Sequence, residues 1–122
     1  MDIARSFLAL RPLVEHALHA YQIASDANEA LGLAMPIGEA RLISGIDQAD
    51  ACLDRAKTGL GAFIEHATRS VPDSWGDVLA MTNIIGLAAE LFGSDDKRVV
   101  ALMTTIAAGV AHHAPPADRL AA

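Results

Sequence analysis

Apolar and small side chains recur from Ile3 onward at alternating steps of four and three: Ile3, Phe7, Leu10, Val14, Ala17, Tyr21, Ala24, then Asn28 and Leu31. That spacing keeps one face of an α-helix apolar and predicts a helix over about 2–33. Pro12 falls inside it and removes a backbone donor, so a kink near Leu8 to Pro12, or a short first helix ending there, is expected. The run Leu31 to Gly38 holds two glycines and a proline and predicts the first turn, with Pro36 suited to opening the next helix. The seam then returns as Leu42, Ile46, Ala49, Leu53, Ala56, Leu60, Phe63 and Ala67, which predicts one helix over about 38–70. Similar lengths and alternating large and small seam residues predict a long antiparallel hairpin with coiled-coil-like packing.

Pro72 ends the second helix, and Asp73 or Ser74 supplies an N-cap for a third over about 74–92. Gly93 then supplies a C-cap, and Ser94 or Asp95 starts a fourth helix over about 95–113, which Pro115 and Pro116 stop. The expectation is an all-α, four-helix antiparallel bundle: one domain over 1–114, with 115–122 as a mobile tail.

Composition narrows the function. Of 122 residues 52% are hydrophobic but only 4% aromatic, which favours closely packed helices over strands. Nine basic residues against fifteen acidic ones leave a net charge of −6 with no basic cluster, which argues against nucleic-acid binding. The single cysteine, Cys52, excludes an intramolecular disulfide framework and a CxxC zinc module, and points to a reducing cytoplasm. The N-terminus carries Asp2, Arg5 and Arg11 among its apolar residues and does not read as a secretory signal. Asn83 and Glu90 interrupt the apolar stretch 78–92, so no membrane span is expected. No Walker-type, dinucleotide-binding or G-x-S-x-G pattern is present, and no catalytic residue is assigned.

Two constellations remain. His16 and His19 share a helix face, yet no glutamate stands three residues before a histidine, as di-metal bundles require. The stretch His16-Ala-Leu-His19-Ala is similar to the phosphorylated-histidine motif of phosphotransfer bundles. It departs from that motif at His19 and Ala20, where the family has lysine and glycine. The acidic residues are better arranged: Asp26 and Glu29 lie before the first turn, Asp47 and Asp50 after it, each pair three apart on one helix face. In an antiparallel hairpin both pairs fall near the same bend and supply oxygen ligands of the kind Mg2+ takes.

That arrangement resembles the double acidic motif of the all-α nucleoside triphosphate pyrophosphohydrolases (MazG-like). The resemblance implies Asp26, Glu29, Asp47 and Asp50 as magnesium ligands and in-line attack of metal-activated water on a phosphoanhydride. The chain departs from the family in having glutamate at only one of the four positions and no lysine near either pair.

The leading expectation is instead a non-catalytic interaction or adaptor protein without a cofactor. The segments 78–92 and 99–110 are apolar on more than one face, the mark of a helix buried centrally or in a subunit interface. Leu79, Ile84, Leu87, Leu91, Val100 and Met103 are the expected interface residues, with a second copy in a homodimer, or another protein, as the partner.

Overall fold

The computed structural model describes residues 2–115. It is all-α: five helices hold 83% of the described residues, and no strand occurs among them. In chain order they are α1 (Ile3–Gly32), α2 (Ile37–Ser44), α3 (Ile46–Ala67), α4 (Trp75–Phe92) and α5 (Lys97–His113). The expected tail lies, from residue 116 on, outside the described residues.

Helix α1 runs unbroken through Pro12, so the expected break is absent. Pro12 is exposed and Leu8, whose carbonyl loses its partner to the proline, is 59% exposed, so water can satisfy that carbonyl. The break comes instead in the second predicted helix. Gly45 takes a left-handed conformation, φ 70° and ψ 20°, and its N–H donates to the Arg41 carbonyl, closing α2 before α3 begins. That conformation suits glycine because it has no Cβ to strike the following carbonyl. The corner rotates α2 out of register with α3. Ala40 is buried, and Leu42, a predicted seam residue, is 82% exposed.

The remaining ends are capped locally. Ser74 Oγ accepts from the Asp77 N–H at 3.2 Å and starts α4, as expected. Gly93 closes α4 with a positive φ of 94°. The cap of α5 is Asp96 rather than Ser94 or Asp95, its Oδ1 accepting from the Arg98 N–H at 2.8 Å.

The contacts divide the chain into two compact units: Met1–Ala9 with Gly61–Ala122, and Leu10–Leu60. In the first, α4 and α5 pack on each other as a hairpin. Its core includes Phe7, Ile64, Val78, Met81, Ile84, Val99 and Leu102, all essentially inaccessible. The Phe7 and Phe63 rings meet edge to face, centroids 4.8 Å apart, a geometry worth about 0.5–1.5 kcal/mol beyond area burial. Gly109 of α5 lies against Val78 and Pro72 with no room for a side chain. His113, in the last turn of α5, has its Nε2 in hydrogen-bond contact with the Pro72 carbonyl. Among the described residues only α4 is long and apolar enough to cross a membrane by length and composition, and Val78, Met81, Ile84, Leu87 and Ala88 of it are buried in the protein.

The second unit has fewer buried apolar residues. It consists of the larger part of α1, all of α2 and the first two-thirds of α3, and its buried apolar residues are Val14, Ala24, Ala40, Ile46, Leu53 and Leu60. The hydroxyl of Ser44 lies 3.5 Å from Asn28 Oδ1 and ties the end of α2 to α1.

Candidate functional site

Among the described residues a groove of about 500 Å3 lies within the second unit. Helix α1 contributes His16, Ala17, Ala20, Ile23, Ala24 and Ala27, and the α2–α3 corner with the first turns of α3 contributes Ser44, Gly45, Gln48, Ala49 and Cys52. The reason lies in the heptad spacing of α1. Beside the seam that faces the unit's own core runs a second one, again at steps of three and four: Leu13, His16, Ala20, Ile23, Ala27 and Ala30. All but Ala27, which is half-buried, are exposed, Leu13 at 66% and Ile23 at 57%. A helix with two such seams has one more apolar edge than a two-helix hairpin can cover.

Small residues form most of the groove's lining, and Gly45 adds none of its own bulk. Nothing lies within 4 Å of where its Cβ would stand. No lining residue is acidic, lysine or arginine. On α3 the charged residues Asp47, Asp50 and Asp54 fall, by helical spacing, on the side away from Gln48 and Cys52. Cys52 is exposed, and Arg55 Nη2 donates to its sulfur at 3.2 Å. The same unit exposes Leu33 at 90%, Ile37 at 75%, Leu42 at 82% and Ile43 at 62% around the turn and α2.

The four carboxylates of the magnesium reading lie at the turn end of the same unit but do not form a ligand set. Asp26 and Glu29 line a separate shallow depression with Ala30 and Leu33. Asp47 is engaged by the Arg41 guanidinium, and the hydrogen bond raises the arginine's pKa further. Among the described residues no group of three or more His, Cys, Asp or Glu side chains is placed to hold a metal ion.

Of the residues expected at an interface on the α4–α5 hairpin, Ile84 is 1% and Leu87 9% exposed, both within the core, and Leu91 is half-buried. Leu79, Val100 and Met103 face outward at 51, 47 and 54%. The groove escaped the sequence reading because attention to large apolar side chains favours α4 and α5, whereas the second seam of α1 is built largely of alanine. Its 4-3 spacing was the available signal.

A third feature lies at the start of α5. Arg98 places its guanidinium carbon 3.9 Å from the centroid of the Phe92 ring and donates from Nε and Nη2 to both Asp96 oxygens, at 3.0 and 3.1 Å. Those hydrogen bonds hold the Asp96 carboxyl down at about 2, from 3.8. The adjoining depression of about 400 Å3, bordered by Glu65, Thr68 and Lys97, therefore has its guanidinium already committed.

Comparison with protein-family models, with curated proteins and with solved structures gives no match for this chain.

Proposed function

We propose that this protein is a non-catalytic interaction protein that binds a helix along the α1–α3 groove. The groove itself supports the reading: alanine, glycine and one isoleucine make up most of its lining beside His16, Ser44, Gln48 and Cys52, it lacks a lysine, arginine or carboxylate, and the exposed Leu13 and Ile23 stand on the same seam of α1. An amphipathic helix laid into such a groove buries its apolar stripe against small residues that permit close approach. Chemistry finds no comparable support, since the acidic pairs lack a common focus and the guanidiniums of Arg41 and Arg98 are occupied by carboxylates.

The test uses Cys52, the single cysteine, which lies in the groove. An environment-sensitive fluorophore attached there shifts to the blue when a helix covers the groove, and Ala20→Glu abolishes the shift. Emission that responds neither to added amphipathic helical peptides nor to the protein's own concentration refutes the proposal.

A further inference from the structure

We infer that the occupant of the α1–α3 groove is a helix of another protein that carries lysine or arginine beyond the end of its apolar stripe, the cation seating beside Asp26 and Glu29. The inference rests on the interaction reading above and specifies the chemistry of the partner.

The surface that a helix in the groove meets extends past the apolar lining. Ala27 lines the groove, and Ala30, the next position of the same α1 seam, lines the shallow depression that Asp26 and Glu29 border with Leu33. Asp26 follows Ile23 by three residues and precedes Ala30 by four, so it stands beside the seam, with Glu29 one turn further on. The depression suits a basic side chain. Ala30 and Leu33, both exposed, offer apolar surface to an aliphatic stem, and the two carboxylates stand where its charged head arrives. From Ala20, in the middle of the groove, to Asp26 and Glu29 is about 9–14 Å along α1, at roughly 1.5 Å per residue. The cation of the partner thus follows the residue packed on Ala20 by about two helical turns.

Charge then selects the partner. Between positions 26 and 50 stand five carboxylates, Asp26, Glu29, Glu39, Asp47 and Asp50, and one cation, Arg41, which Asp47 already holds. Among the described residues no ion pair or side-chain hydrogen bond engages Asp26 or Glu29. The bend end of the groove therefore attracts a cation and repels a carboxylate, a preference that the uncharged lining cannot supply. At the other end the sign is reversed, because Arg55 Nη2 donates to Cys52 Sγ at 3.2 Å and so places a guanidinium beside the lining. Lysine is favoured at one end of the groove and disfavoured at the other, which sets which way round the occupant lies. A chain that itself carries −6 is a poor source of such a helix.

Fluorescence anisotropy of labelled helical peptides titrated with the full chain tests the inference. One peptide carries a leucine and alanine stripe with two lysines beyond one end, and in two others glutamine or glutamate replaces the lysines. The lysine peptide is expected to bind about three- to tenfold more tightly than the glutamine peptide, and the glutamate peptide more weakly than either. These differences are expected to shrink between about 50 and 500 mM salt. Asp26→Asn with Glu29→Gln is expected to remove the preference for lysine. Asp50→Asn with Asp54→Asn, the same loss of charge at exposed positions on the side of α3 away from the groove, is expected to retain it. Ala20→Glu is expected to abolish binding of all three peptides. Equal binding of the lysine and glutamine peptides, or a preference that survives Asp26→Asn with Glu29→Gln, overturns the inference and leaves the interaction reading standing. If no peptide binds, the inference also falls, and the response of the Cys52 fluorophore to the protein's own concentration decides whether the interaction reading survives without it.

Discussion

Replacing Gly109 by alanine sets two effects of known sign against each other. In an open helix interior, glycine to alanine stabilises by about 0.5–1 kcal/mol, because the unfolded chain loses conformational freedom. At Gly109, however, the new Cβ would stand 2.5 Å from Val78 Cγ2 and 3.0 Å from Pro72 Cγ. Neither neighbour yields cheaply. Val78 is β-branched and 1% exposed, and Pro72 is a buried ring. Overpacking of this kind costs about 1–3 kcal/mol, so Gly109→Ala is expected to destabilise by about 1 kcal/mol after the helix gain is deducted. Gly86 on α4 provides the control, since nothing lies within 4 Å of its Cβ position, and Gly86→Ala should show the gain alone. Urea and thermal unfolding followed by circular dichroism measure both variants, with a lower urea midpoint and a fall in Tm of roughly 2–5 °C expected for the first and a rise in both for the second. If Gly109→Ala stabilises as much as Gly86→Ala, the close approach of α5 to Val78 and Pro72 is wrong.

The other expectations are simpler. Leu42→Ala should change stability by no more than about 0.5 kcal/mol, whereas Leu53→Ala should cost about 2–5 kcal/mol in the same urea assay, because Leu42 is 82% and Leu53 7% exposed. Gly45→Ala should cost about 1–2 kcal/mol through its left-handed conformation, and an unchanged midpoint would mean that α2 and α3 join differently. Asp96 has its carboxyl lowered from 3.8 to about 2 by the Arg98 hydrogen bonds, so its contribution to stability is complete above the unfolded value and is lost as pH falls toward 2. The urea midpoints of wild type and Asp96→Asn should therefore converge as pH is lowered through that window, and a gap that stays constant would dismiss the ion pair as the cause.

Helix class and most boundaries were legible because they depend on local chemistry. The seam of α1, the Ser74 cap and the Gly93 stop each lie within a few residues of the feature they determine. Two local readings failed for identifiable reasons. Pro12 was given the cost of an interior proline, but its lost hydrogen bond faces solvent. Gly45 sits in a run whose apolar periodicity continues past it, and nothing in the spacing of Leu42 and Ile46 distinguishes a bent chain from a straight one. Cap choice at α5 went to Asp96 because Arg98 binds its carboxylate from two residues on, a pairing that depends also on where Phe92 places its ring. The groove was written in the 4-3 spacing of Leu13 to Ala30, yet alanine reads as either core or bland surface until the neighbouring helices are in place. The acidic pairs show the converse: their spacing was suggestive, but spacing along two helices does not fix where four carboxylates point.

The corner at Gly45 has a further consequence for how the protein breathes. Helix α2 is only eight residues long, its Pro36 cap makes no side-chain hydrogen bond, and Ala40 is its one buried residue. A helix of two turns does not hold itself together in water, so α2 depends on that buried anchor, on the Ser44 link to α1 and on the exposed Arg41–Asp47 pair to α3. Its amide protons should be among the first of the helical ones to exchange with deuterium, by local opening that leaves the rest of α1 and α3 protected. Ser44 and Gly45 border the groove, so a local opening of α2 would loosen one wall of the concavity while leaving the long helix opposite it in place.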